Sequence, residues 1–246
     1  GGDGSGQASS GITSLKYKLV TEKGEYPTEG LQEAQVSGGK VDSQAISSKD
    51  AVNGLNYIYY IVQDTAGNTT QGYSSAIRVD NTVPTIDVKA SVSEGSAAMF
   101  EVTATFGVSG GDVTFQKQNE EAVYPVSGNT QENGGGSYKF TAEPGVSEEG
   151  TYMFTVTTGA GKTATVNAPA ICRITLNANG GSFDPEDPSA NTDTWLVVAG
   201  GRISPPEGDN QQTPELKGYT LTGWYTDSDL QTEYNSTQTV SDTMTL

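Results

Sequence analysis

Paired carboxylates are the first residues in this chain that could do chemistry. Glu120-Glu121, Glu148-Glu149, Asp184 with Glu186 and Asp187, and Asp227 with Asp229 bring acidic groups together along the sequence. Glycoside hydrolysis uses two carboxylates held at a fixed separation across a cleft. Neighbours in a polar loop have no such separation imposed on them, and solvated loop charge accounts for these pairs. Histidine is absent, which removes the usual general base near neutral pH and the commonest zinc ligand. Ser-His-Asp and Cys-His nucleophile systems are excluded in their usual form. Cys172 is the only cysteine, so no intrachain disulfide forms. Gly110-Gly111 and Gly134-Gly135-Gly136 lack a following helix and the P-loop lysine spacing, and they read as hairpin tips rather than phosphate loops. The chain therefore reads as non-catalytic and without a cofactor.

Binding is the alternative chemistry. Asp80, Asn81 and Asp87 flank a junction between strands, an arrangement in which oxygen ligands take calcium. The competing reading is that Asp80-Asn81 caps a turn. Asp227-Ser228-Asp229 is a sparser candidate, and no dense D-x-D-x-D-G loop exists. Lys89, Asn167 and Glu101 have the types needed for a Lys-Asn isopeptide crosslink, but alternation with Ile86, Val88 and Ala90 turns Lys89 outward. Flat rings stack on sugars and anchor protein partners. Trp195, Tyr73 and Tyr124 are the candidate ligand aromatics, with Trp195, in an insertion-like stretch, expected to be the exposed tryptophan. Trp224 has apolar and aromatic neighbours and reads as core.

Charge narrows the partners. Thirteen basic and thirty acidic residues leave a formal charge of −17. Nucleic acid requires a basic patch, and none is present. An anionic membrane surface is disfavoured for the same reason. No apolar run approaches the ~20 residues of a membrane span. No signal peptide or wall-anchor signal is visible. An acidic chain of this kind is expected to be a monomer, with a host protein or a glycan as the partner class if it binds anything.

These residues sit on strands. No stretch shows a long 3.6-residue apolar period, whereas short alternating segments recur between Gly, Asn and Pro clusters. Leu15-Tyr17-Leu19, Ile58-Tyr60-Val62, Ile86-Val88-Ala90, Phe100-Val102-Ala104, Tyr152-Phe154-Val156 and Ala164-Val166 each place one face inward at period two. Residues 56–68 (NYIYYIVQDTAGN) and 150–162 (GTYMFTVTTGAGK) align without gaps, Ile58 falling on Tyr152, Tyr60 on Phe154 and Val62 on Val156. Val83-Pro84 and Asn167-Ala168-Pro169 read as stiff junctions. The modules are thus 1–82, 83–169 and 170–246, the first expected to lack its opening strand. Gly2–Gly6 reads as a flexible leader.

At Asp64-Thr65-Ala66-Gly67-Asn68, followed by Val79-Asp80-Asn81-Thr82-Val83-Pro84, the first module resembles bacterial immunoglobulin-like repeats of surface proteins. In the second, the turn is reduced to Gly159-Ala160-Gly161-Lys162, and the assignment rests on the repeat. Residues 174–183 (ITLNANGGSF) and 217–226 (KGYTLTGWYT) resemble the internalin B-repeat, or Listeria–Bacteroides repeat. Val198-Ala199-Gly200-Gly201 with Pro205 and Pro206 fill its middle slot. These resemblances imply a mainly β protein: two immunoglobulin-like β-sandwiches in tandem plus a small β-grasp-like C-terminal module. That module is expected to carry a helical turn within 227–235 and to be clipped at its last strand. They also imply an extracellular location, on the bacterial cell surface or secreted, and a stalk or adhesion segment. The alternatives are a ligand-binding module, or accessory domains of a large secreted enzyme.

Overall fold

The computed structural model describes residues 11–93, 97–134, 136–206 and 213–246, and the chain divides into two compact units. The leader at Gly2–Gly6 and Gly135 of the glycine-rich tip lie outside the described residues. The described residues are almost all strand and loop, with a single 3-10 turn at Ser48–Asp50.

Unit 1 comprises residues 1–83 with the loops 107–110 and 134–137. Its strands are β1 (Ile12–Val20), β2 (Gln32–Glu33), β3 (Gly54–Asp64), β4 (Thr69–Tyr73) and β5 (Ile77–Val79). They form one sheet in the order β2-β1-β3-β4, with β5 against the start of β3. Leu15 pairs with Val62, Tyr17 with Tyr60 and Leu19 with Ile58, so the six residues share one face, as their alternation predicts. The deepest ring lies on the other face. Tyr59, opposite Lys18 and Tyr73, is 2% exposed. Tyr26 and Tyr73 close over it at centroid distances of 5.4 and 5.6 Å, and its hydroxyl donates to Gln71 Oε1 at 2.5 Å. Among the described residues no second sheet faces this one; loops cover it, Gln44 reaching Tyr17 Oη at 3.3 Å. At the β3–β4 turn, the Asp64 carboxylate accepts the amides of Ala66 and Asn68 at 2.9 and 2.8 Å. Gly67 supplies the positive φ of 86° that the turn requires.

Unit 2 begins with a β-sandwich. Its strands are β6 (Thr85–Val92), β7 (Ala98–Phe106), β8 (Gly111–Lys117), β9 (Val123–Pro125), β10 (Asn129–Glu132), β11 (Tyr138–Ala142), β12 (Gly145–Val146), β13 (Tyr152–Thr158) and β14 (Thr163–Asn167). One sheet runs β10-β11-β7, with β12 and β6 also on β7; the other runs β14-β13-β8-β9. The alternating residues face each other across the two layers. Phe100, Val102, Ala104 and Phe106 from β7 meet Tyr152, Phe154 and Val156 from β13 in one buried cluster. Phe100 and Phe154 pack edge to face at 5.2 Å, a favoured aromatic geometry.

The same unit continues into a mixed sheet of β15 (Ile171–Asn177), β16 (Thr192–Val198) and β17 (Met244–Thr245). β15 is central, antiparallel to β16 and parallel to β17. Cys172, Ile174, Leu176, Trp195 and Val197 point into a core of their own with Trp224, Val240 and Leu246. The expected helical turn within 227–235 is absent. The Asp227 carboxylate instead accepts the amides of Gln231 and Thr232 at 2.9 and 2.6 Å, and Leu230 takes a left-handed φ of 56°, which ends any helical run.

Candidate functional site

Several of the acidic residues have partners of their own. Asp80 follows β5 and turns inward. Its carboxylate accepts the Ser109 hydroxyl at 2.5 Å, the Ser109 amide at 3.0 Å and the Thr82 amide at 2.9 Å. Burial alone would raise its pKa, but the hydrogen bonds from Ser109 and Thr82 outweigh that and bring it from 3.8 down to about 2. Asn53 completes the corner, accepting the Asn81 amide at 2.7 Å and donating to Thr82 Oγ1 at 2.9 Å. Asp87 is exposed on β6. The turn-capping alternative therefore describes what Asp80 does here. Among the described residues no three His, Cys, Asp or Glu side chains converge to hold a metal.

Adjacent carboxylates diverge to separate partners. Glu148 pairs with Lys117 Nζ at 2.7 Å, while Glu149 pairs with Arg173 at 2.5 Å. The Arg173 hydrogen bond lowers the Glu149 pKa, and the Glu148 hydrogen bond raises that of Lys117. Asp184 and Asp187 cap the amides of Glu186 and Ser189, each at 2.9 Å. Lys89 lies 3.9 Å from Glu101 on the outer surface, as alternation placed it, and Asn167 is exposed on the opposite sheet. The Cys172 thiol is buried; burial first, and Asp242 second, push its pKa up.

The three candidate aromatics have different fates. Trp195 was expected to be exposed and is not: it is 9% exposed, because it stands opposite Ile174 on the inner face of β16. Its indole N–H donates to Asp193 at 2.8 Å. The run Trp195-Leu196-Val197-Val198 is the missed signal, since a continuous apolar run marks a strand buried on both faces. Tyr73 is half-buried, and its hydroxyl donates to the Glu25 carbonyl at 3.0 Å, tying down the loop that carries Tyr26. Tyr124 is 48% exposed at the edge of a ladder in which it stacks on Phe115 at 5.4 Å and Phe115 on Phe154 at 5.5 Å.

A further surface was not anticipated. In the C-terminal module a cleft of about 1100 Å³ is lined by Asn179, Leu216, Tyr219, Tyr225 and Leu230 among others. Tyr219 is 77% exposed. Trp224 underlies it, buried, stacked on Phe183 at 6.3 Å and donating to the Pro206 carbonyl at 2.9 Å. Polar and apolar groups mix along the cleft. The sequence pattern at 217–226 marked Tyr219 as a framework position and gave no hint of its exposure.

Residues 173–246 match the family model of the Listeria–Bacteroides repeat domain, in agreement with the resemblance of the C-terminal module. No curated protein matches the chain. Among solved structures, the chain is similar to the human desmocollin-1 ectodomain at 15% identity and a TM-score of 0.21, covering 63% of this chain and 29% of that one.

Proposed function

We propose that this chain is a non-catalytic stalk or adhesion segment of a bacterial surface or secreted protein, working as a monomer without a cofactor. The observation that carries this reading is the Listeria–Bacteroides repeat match at 173–246, set beside β modules in which Asp64, Asp80 and Asp227 hold turns and Glu148 and Glu149 form ion pairs. Immunoglobulin-like ancestry of residues 1–82 and 83–169 belongs to the same reading. Antibody raised against the chain is expected to label intact cells of the source organism, or to detect the protein in their medium. Labelling only after lysis, with none in the medium, would reject it.

A second reading, a glycan- or protein-binding module, is favoured by one observation: Tyr219, 77% exposed, beside a cleft of about 1100 Å³. A glycan array probed with the chain and with Tyr219→Ser tests it. Binding lost in the variant supports the module reading, and no binding by either protein removes its glycan form.

A further inference from the structure

The junction expected at Asn167-Ala168-Pro169 has no slack. The Ala168 amide still donates to the Tyr152 carbonyl of β13 at 2.8 Å. The Ala170 carbonyl accepts from the Ala199 amide at 2.8 Å, and Ile171 exchanges both backbone hydrogen bonds with Gly150, at 2.8 and 2.9 Å. Pro169, which has no N–H and a fixed φ, fills the position between them. A linker hinges through residues whose backbone is free to rotate, and here both neighbours of the proline are held, Ala168 by β13 and Ala170 by Ala199 just past β16.

Side chains continue the same grip. β15 and β16 are two-faced. Ile171 pairs with Val198 and Arg173 with Leu196. Ile171 belongs to the sandwich core, and Leu196 and Val198 pack against it. Three consecutive residues act as a staple. Glu148 holds Lys117 of β8, Glu149 holds Arg173 of β15, and Gly150 pairs with Ile171. Gly150 has a φ of 142°, and a Cβ there would lie 2.9 Å from Lys117 Cε.

We infer that the sandwich and the C-terminal sheet unfold as one cooperative body, stapled through residues 148–150 and the shared Ile171 core. Interdomain contacts inside a chain ordinarily leave relative motion as the default; a strand buried between two cores removes it. This inference stands apart from what the chain binds or where it resides.

The whole chain supplies its own reporter. Trp195 and Trp224 are its two tryptophans, and both lie in the C-terminal module. Phe100→Leu disturbs only the sandwich core, and Val102→Ala is the milder variant should Phe100→Leu fail to fold. In urea unfolding followed by tryptophan fluorescence, either variant is expected to lower the midpoint by roughly 0.5 M. An unchanged fluorescence midpoint, alongside faster amide exchange in β7, would overturn the inference. Gly150→Val is expected to split the shared transition in two. A single, unsplit transition in that folded variant would overturn the staple.

Discussion

Asp80 takes both the hydroxyl and the amide of Ser109, at 2.5 and 3.0 Å, and thereby fixes the loop 107–110 against the end of β5. Burial works against the charged carboxylate, and the hydrogen bonds prevail, leaving a folded pKa of about 2 against an ordinary 3.8. A depressed carboxylate stabilises the fold above its ordinary pKa and loses that contribution as pH falls through its folded one. A gap of nearly two pH units corresponds to roughly 2 kcal/mol. Asp80→Asn is therefore expected to lower the stability of unit 1 by about that amount at pH 7. The difference between variant and wild type should shrink between pH 4 and about 2. Calorimetry across that range checks it; a difference constant with pH would contradict the assignment.

The same carboxylate bears on calcium. Its oxygens already accept three protein donors, and a cation would have to displace them. Calcium at ~2 mM is expected to leave the melting temperature of unit 1 unchanged. A rise of several degrees would show that Asp80 exchanges its hydrogen bonds for a metal.

In the sandwich, Phe154 is fully buried between Phe100 and Phe115, at 5.2 and 5.5 Å. Phe154→Ala removes a large side chain where neighbouring strands cannot close in. The expected cost is about 3–5 kcal/mol, read from urea unfolding. A loss below ~1 kcal/mol would mean that this position does not support the core.

Cys172 is the natural chemical probe of the C-terminal core. The thiolate is the reactive form, and burial disfavours it. Alkylation in native buffer is expected to be at least ~100-fold slower than in denaturant. Comparable rates in the two conditions would mean that β15 is not packed as described.

The alternating triplets of β7 and β13 were legible because two sheets bury one face of each strand, so a period of two reports directly on the core. The C-terminal module was legible through turn and aromatic positions such as Asn179-Gly180-Gly181 and Gly223-Trp224-Tyr225. Where layers are incomplete, the pattern misleads. In β3, Ile58, Tyr60 and Val62 share a face with Leu15, Tyr17 and Leu19 as read, yet two other tyrosines, Tyr26 and Tyr73, bury Tyr59 on the reverse side. The position of Tyr26, brought from a loop, could not be inferred from β3 itself. Trp195 failed for the opposite reason: β16 is covered on both faces, so no alternation announces it. Asp227 has the composition of a helix start, but its carboxylate closes a turn before a helix can propagate.

The clasped proline at 169 also bears on how such chains evolve and can be engineered. Module shuffling succeeds where a cut severs few contacts, and a boundary drawn at 169/170 would strand Ile171 from Gly150 and Arg173 from Glu149. A transplantable cassette therefore has to start at 84 rather than at the repeat. A graft that carries only the C-terminal repeat inherits an exposed Ile171, Leu196 and Val198, and with them a tendency to aggregate.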